Sequence, residues 1–162
     1  MKPVDLKSIM EFRVGSDALQ AAQNVLQQAG SQGVECLVLL AGKPIDSKTL
    51  LLDMVYVPEQ HATALSVRLS PGSLIPIHQD LADTGRLIAI QIHTHPGHAF
   101  HSDTDDADDT VTQEGSISIV VPCFGRFGLK NWPHCVGYIR DRSGWGRTLE
   151  SEELSALVKV HP

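Results

Sequence analysis

The sequence predicts an α/β (α+β) fold, in which a single domain is built on a mixed β-sheet flanked by helices. Residues 34–41 (Val-Glu-Cys-Leu-Val-Leu-Leu-Ala) form a nearly continuous apolar run, which is typical of a central strand buried on both faces. Residues 86–93 contain a second such run, Leu-Ile-Ala-Ile-Gln-Ile. Residues 16–30 instead repeat apolar side chains at helical spacing. Buried strands combined with amphipathic helices favour a layered sheet-and-helix domain.

The first half of the chain predicts one helix followed by a hairpin. Ser16 is suited to be the N-cap of the helix, and Gly30 supplies the stop. The strand at 34–41 ends at Gly42-Lys43-Pro44, and residues 49–57 predict the strand that pairs with it. The expected order is therefore helix, strand, strand.

The second half predicts shorter and less regular elements. Pro71 and Pro76 interrupt one segment, so that only residues 76–82 are expected to be helical there. Residues 103–113 predict a short polar helix, and residues 148–160 predict a last helix or a strand plus a helix. Further strands are expected at residues 64–69, 86–93, 116–122 and 134–140.

Length and composition limit the classes of protein to which the chain can belong. A chain of 162 residues without a Pro/Gly/Ser-rich linker predicts one domain over residues 1–162. The net charge of -6 and the lack of a dense Lys/Arg run argue against a general nucleic-acid binder. No apolar run approaches the ~18 residues of a membrane span, and the N-terminus lacks a signal-peptide core. The three cysteines form no CxxC pair, which favours reduced thiols in a cytoplasmic protein.

The segment His93-Thr94-His95-Pro96 carries the clearest chemical signal. Alternate residues of a strand point to the same side, so His93 and His95 can project together from the end of the strand at 86–93. Asp105 follows His95 by ten residues, and two histidines with one carboxylate are ligand types that bind zinc. Three protein ligands leave the fourth position for water, which is the arrangement of a catalytic rather than a structural zinc site.

Peptide hydrolysis at such a site needs a base and an oxyanion donor. Zinc lowers the pKa of its bound water to about 7, and a base must take the proton of that water and return it to the leaving amine. Glu35 is the candidate base, because a carboxylate is out of place at the start of the most hydrophobic strand. Ser102, three residues before Asp105, is placed to donate to the developing oxyanion.

A known family motif resembles this set of residues. The JAMM motif of the JAB1/MPN/Mov34 zinc metalloproteases is similar to Glu35, His93-x-His95-Pro96 and Ser102-x-x-Asp105. The resemblance covers roughly residues 16–140. It implies one JAB/MPN-type domain with the cytidine-deaminase-like fold and one Zn²⁺ per chain.

The resemblance also implies the role of each residue. His93, His95 and Asp105 would be the zinc ligands, Glu35 the general acid/base, and Ser102 the group that stabilises the oxyanion. The family cleaves peptide or isopeptide bonds that follow the C-terminus of a ubiquitin-like protein.

Within the family, the chain is most similar to bacterial stand-alone members. The similarity lies in its small size and in residues 96–106 (Pro-Gly-His-Ala-Phe-His-Ser-Asp-Thr-Asp-Asp). These members are encoded beside E1-like and E2-like proteins in antiphage operons. The similarity implies a ubiquitin-like protein or its conjugate as substrate, and E1-like and E2-like proteins as further partners. Charge and the lack of an apolar span, rather than the similarity, argue against nucleic acid and membrane as partners.

The spacing leaves two assignments of the carboxylate ligand open. Six residues separate His95 from Ser102, whereas the family motif has seven. In the alternative assignment, Asp106 keeps the family's spacing as the metal ligand, and Asp103 then stands in place of the serine. The pair Ser102 and Asp105 is favoured because it keeps the internal Ser-x-x-Asp spacing. The same pair is also a variant of a helix capping box.

Each remaining feature also has an alternative without catalysis. The two histidines can be an exposed pair on one strand face, and Glu35 can be a solvent-facing strand end. A non-catalytic MPN-type scaffold or binding module is therefore the alternative function, and processing of a sulfur-carrier protein is the alternative substrate.

Several loop side chains near the motif have two interpretations. His98 and His101 are expected to be solvated rather than to line the rim of the site. Phe100 is suited either to packing the metal loop or to contacting a substrate tail. Trp132 and Trp145 are suited either to exposed partner contacts or to buried anchors.

Overall fold

A mixed β-sheet of eight strands forms the centre of the structure, a computed structural model that describes residues 2–106 and 110–162. Its helices and strands follow in this order: β1 (Glu11–Gly15), α1 (Ser16–Ser31), β2 (Leu37–Pro44), β3 (Thr49–Tyr56), β4 (Gln60–Ala62), β5 (Val67–Leu69), α2 (Ile75–Thr84), β6 (Leu87–Thr94), α3 (Asp103–Asp106), β7 (Ile117–Val121), β8 (Val136–Asp141), β9 (Gly144–Leu149), α4 (Ser151–Leu157) and β10 (Val158–His161).

The sheet combines parallel and antiparallel neighbours. Its strand order is β10-β1-β3-β2-β6-β7-β8-β9, and β4 and β5 form a separate two-stranded sheet. β1 is parallel to both β10 and β3, and β6 is parallel to β7, whereas the other neighbours are antiparallel. The predicted mixed α/β domain is therefore confirmed, with β2 and β6 at the centre of the sheet.

The two covered faces of β2 explain its apolar sequence. Val38 and Leu40 belong to the core that contains the buried residues of α1 and α4. Leu37 and Leu39 belong to a second cluster with the buried residues of α2. Because helices cover both faces, every side chain at the start of the strand is apolar. Each fully buried leucine contributes roughly 1.5–3 kcal/mol, so this strand is a major source of stability.

The central elements occupy the predicted places with small shifts. The strand predicted at 34–41 is Leu37–Pro44, and the strand predicted at 86–93 is Leu87–Thr94. The prediction of Ser16 as N-cap is wrong, because Gly15 holds that position and β1 leads directly into the helix. The helix also continues one residue past the predicted stop at Gly30.

The peripheral elements differ more from the predictions. The helix predicted at 103–113 is shorter, since Asp103–Asp106 are helical and 110–113 are not, while 107–109 lie outside the described residues. The sequence pattern predicts neither β1 nor β4 nor β10, because strands of three to five residues carry a weak alternation signal. In the described ranges, no helix has the length and apolar content needed to cross a membrane.

Candidate functional site

The centre of the sheet brings Glu35 beside the histidine strand. β2 and β6 are antiparallel neighbours. Just before β2, the Thr94 N–H donates to the Cys36 carbonyl, and the Cys36 N–H donates to Thr94 Oγ1, each at 3.0 Å. The pairing of the two segments therefore continues past the start of β2 and sets Glu35 alongside His95.

The three predicted ligand side chains converge on one point. His93 and His95 are 2% and 5% exposed, so they are not an exposed strand pair. Their Nε2 atoms lie 3.2 Å apart. One carboxylate oxygen of Asp105 lies 3.3 Å from His93 Nε2, and the other lies 3.1 Å from His95 Nε2.

Asp105, and not Asp106, directs its carboxylate at the histidines. Asp106 is largely exposed, and its Oδ1 lies 3.1 Å from His101 Nδ1. Ser102 and Asp105 exchange two hydrogen bonds: the Asp105 N–H donates to Ser102 Oγ at 3.2 Å, and the Ser102 N–H donates to Asp105 Oδ2 at 2.8 Å. The pair is thus a capping box for α3 and part of the site at the same time. Asp103 lies exposed on α3.

The converging donors fit a divalent cation. All three ligand atoms lie within 4.8 Å of one another. Two imidazole nitrogens and a carboxylate suit zinc, and the same set with open positions also suits Fe(II). Without a cation these groups would have to share protons in a buried site, where unpaired polar groups are costly. His93 Nδ1 is buried and has no hydrogen-bond partner among the described residues, so packing rather than a bond at that nitrogen positions the ring.

The two carboxyl groups of the site have different proton affinities, because only Asp105 is hydrogen-bonded by the histidines. Glu35 is 4% exposed, and burial raises the pKa of its carboxyl, an effect that the nearby histidines oppose and that Asp105 increases. Burial also acts to raise the pKa of Asp105, but hydrogen bonds from His93 and His95 hold it well below its usual range. Asp105 is therefore suited to remain ionised as a ligand, and Glu35 to transfer a proton.

An open cleft of about 300 Å³ leads to these side chains. Glu35 and Ser102 line it together with the apolar side chains of Leu65, Val67 and Phe100. The Phe100 ring meets the His95 ring edge-on, with ring centroids 4.9 Å apart, and remains half exposed. Phe100 therefore packs against His95 and also faces the cleft, while its contact with a substrate tail stays a prediction.

His101 is a residue of the site that the sequence interpretation places wrongly. Instead of being solvated, its side chain is 2% exposed and stacks on Tyr138 with ring centroids 3.9 Å apart. Burial lowers the pKa of the His101 ring, with the charge of His93 acting in the same direction and Asp106 opposing it. His98 is exposed, as predicted, but it also lies at the cleft, which the prediction did not expect. The local sequence offers no signal that separates the two histidines, because the partners of His101 come from distant strands.

The two tryptophans pack rather than project from the surface. Trp132 is fully buried, and its indole N–H donates to the Val158 carbonyl at 2.9 Å. Trp145 is partly buried and meets the His101 ring edge-on, with ring centroids 5.8 Å apart. Of the two interpretations of Trp132, the buried anchor is therefore the correct one.

Comparison with known proteins gives one informative sequence relative and one informative structure. No family model matches the chain. The chain is 27% identical over 158 residues to the "Probable metalloprotease y4jG" of Sinorhizobium fredii (strain NBRC 101917 / NGR234), which covers 96% of this chain and 97% of that protein. Its fold is similar to the solution structure of protein DSY2949 from Desulfitobacterium hafniense, with a TM-score of 0.66 and 13% identity, over 93% of this chain and 92% of the other.

Proposed function

We propose that the chain is a zinc-dependent peptidase of the JAMM type. The observation that carries this proposal is the convergence of His93, His95 and Asp105 beside a cleft lined by the buried Glu35. The likeness to a probable metalloprotease over nearly the whole chain supports the same activity. Zinc is favoured over Fe(II) as the resident ion, because hydrolysis requires no redox step.

The bound metal ion and Glu35 have separate roles in hydrolysis. When bound, the zinc ion supplies a Lewis acid and lowers the pKa of a water molecule to about 7. Glu35 accepts a proton from the water that attacks the scissile carbonyl carbon, and it donates that proton to the leaving nitrogen as the C–N bond breaks. Its raised pKa brings its proton affinity closer to that needed near neutral pH.

Ser102 completes this arrangement as the oxyanion donor. Its hydroxyl oxygen accepts the Asp105 N–H at 3.2 Å, which leaves its hydrogen available to donate. Ser102 also lines the cleft, so that the hydroxyl can meet the negative charge that develops on the carbonyl oxygen. The hydrogen bond that caps α3 therefore fixes the position of the Ser102 hydroxyl and leaves its hydrogen free to donate to the oxyanion.

We infer that the substrate is the extended C-terminal tail of a ubiquitin-like protein. The motif resemblance supports this substrate class, and a strand edge beside the cleft is suited to pair with an extended peptide. Val67 of β5 lines the cleft, and β5 pairs only with β4 in the described part of the chain. A tail can add to its second edge through backbone hydrogen bonds. Glycine near the scissile bond suits a narrow approach, because it lets backbones come close together.

The same resemblance extends the proposal to a cellular role. Bacterial stand-alone members of the family are encoded with E1-like and E2-like proteins, which we propose as partners of this chain. The enzyme would then process a ubiquitin-like precursor, or remove it from a conjugate, in a cytoplasmic antiphage pathway.

Cleavage of ubiquitin-like fusions and conjugates by the zinc-loaded protein tests this function. We expect a product that ends in the C-terminal glycine of the ubiquitin-like protein, and we expect its loss on chelation. Glu35→Ala should keep the metal and lose turnover, whereas His95→Ala should lose both. A zinc-loaded protein that cleaves no substrate of the panel would favour the non-catalytic scaffold instead, and normal cleavage by Glu35→Ala would exclude Glu35 as the base.

A further inference from the structure

We propose that His101 is a positioning residue that anchors the loop bearing Ser102 and Asp105, and that the affinity of the metal site depends on this anchor. The inference rests on the proposed metal site, and it does not depend on the identity of the substrate. Residues 96–98 and Phe100 of the loop are exposed, whereas the His101 side chain is 2% exposed. The loop therefore enters the protein interior at His101, directly before Ser102.

Each ring nitrogen of His101 has a hydrogen-bond partner on a different element. Nδ1 lies 3.1 Å from Asp106 Oδ1 on α3, and Nε2 lies 2.9 Å from Ser118 Oγ on β7. Ser118 is fully buried and accepts a hydrogen bond from Gln91 Nε2 at 3.1 Å. One neutral tautomer, assigned from these partners, satisfies the whole chain: Nδ1–H donates to Asp106, and the Ser118 hydroxyl donates to Nε2. The ring thus links α3 to the central sheet.

The neighbouring strands hold the same residue by its ring face and by its backbone. The His101 ring stacks on Tyr138 of β8 at a centroid distance of 3.9 Å and an interplanar angle of 18°. The Tyr138 hydroxyl accepts the His101 N–H at 3.0 Å. Trp145 of β9 meets the ring edge-on. Side chain and main chain of His101 are therefore fixed by three consecutive strands of the sheet.

The metal ligand Asp105 depends on this attachment because, within residues 2–106 and 110–162, α3 has few other contacts with the sheet apart from those of the Asp105 carboxylate with His93 and His95. The helix is four residues long, and three of its four residues are exposed. Its capping box joins Ser102 to Asp105 but does not join either of them to the sheet. If the loop were free, ordering it would oppose metal binding, because the entropy cost is subtracted from the binding free energy. Groups that position metal ligands typically change metal affinity by about 10–100-fold.

Zinc affinity, measured by competition with a chromophoric chelator, tests this role. His101→Phe keeps an aromatic ring for Tyr138 but removes both ring hydrogen bonds, and we expect at least about 10-fold weaker zinc binding. His98→Phe is the matched control, since it makes the same substitution at an exposed histidine of the same loop, and its zinc affinity should equal that of the wild type. The visible absorption of bound Co²⁺ should change in His101→Phe alone, because that spectrum reports the geometry of the ligands rather than the stability of the fold.

Two further variants apply if His101→Phe does not fold. His101→Gln places a polar group near the position of Nε2, so it should bind zinc more tightly than His101→Phe. Ser118→Ala removes the hydrogen-bond partner of His101 on β7 and should also weaken zinc binding. In a double variant it should add little to the loss of zinc affinity caused by a folded His101 variant, because the two residues act as a unit. Zinc affinity and Co²⁺ spectra that match the wild type in a folded His101→Phe or Ser118→Ala protein would overturn the proposal. Failure of the wild-type protein itself to bind zinc would instead overturn the metal site, and the role of His101 with it.

Discussion

Substitution of Thr94 by valine tests the contact that holds the base segment against the histidine strand. Thr94 lies between the two histidines and is 0% exposed. Its Oγ1 accepts the Cys36 N–H at 3.0 Å, one residue after Glu35. Valine has nearly the same shape but no hydroxyl, so the Cys36 N–H would remain buried without an acceptor.

The expected loss follows from the cost of an unsatisfied buried donor. Leaving such a group unpaired costs about 1–3 kcal/mol. In a domain of this size each kcal/mol lowers Tm by roughly 2–4 °C, so we expect Thr94→Val to melt roughly 2–12 °C below the wild type. Glu35 should also lose part of its fixed position, so cleavage by the zinc-loaded variant should be slower at unchanged zinc content.

Denaturant and thermal unfolding measure this effect against a matched buried hydroxyl. Ser116 is also 0% exposed, but its Oγ has no hydrogen-bond partner in the described part of the chain. Ser116→Ala should therefore leave the free energy of unfolding unchanged or raise it, because it removes a buried hydroxyl that has no partner instead of creating an unpaired group. Equal losses for the two variants, or no loss for Thr94→Val, would show that the Cys36 hydrogen bond does not contribute the expected stability.

The burial of Glu35 and Cys135 and the close packing around Gly42 give three further predictions. Burial raises the pKa of Glu35, and the carboxylate can act as a base only when it is ionised. Cleavage should therefore fall with decreasing pH, with a midpoint above the pKa of ~4.3 of an exposed glutamate. A midpoint at or below that value would contradict the role of Glu35 as the base. Burial raises the pKa of Cys135 to about 12, whereas an unfolded thiol titrates near 8.5. The unfolded chain therefore releases this proton first, and Cys135 alone should lower the free energy of unfolding by about 1.4 kcal/mol per pH unit above pH ~8.5. Denaturant titrations should find the total slope reduced by this amount in Cys135→Ala. A Cβ at Gly42 would overlap the Leu51 carbonyl oxygen, so Gly42→Ala should lower Tm by far more than the control Gly97→Ala, where the added Cβ meets no atom within 4 Å.

The places of the candidate ligands and of the candidate base in the site could be predicted because their signals are local. The alternation of a strand places His93 and His95 on one side, and the capping pattern locates Ser102 and Asp105 a few residues later. Glu35 is recognisable because a carboxylate stands in an apolar run, and the structure shows that it is buried. None of these inferences requires knowledge of how distant strands pair.

The remaining features depend on contacts between distant parts of the chain. The partners of His101 lie 17 and 37 residues away in sequence, so the local pattern cannot distinguish it from His98. β1 and β10 pair in parallel although they stand near opposite ends of the chain, and neither is long enough to show a clear period. The capping preference of Ser16 is overridden because β1 runs into the helix at Gly15 without a loop.

Returning zinc to the metal-free protein while cleavage of a ubiquitin-like fusion is measured tests whether the chain is a zinc-dependent peptidase. The three proposed ligands form one site, so the rate should rise with added zinc and level off at about one equivalent per chain. Cleavage that persists in the metal-free protein would contradict zinc-dependent hydrolysis, as would a fully zinc-loaded protein that leaves the peptide bond intact.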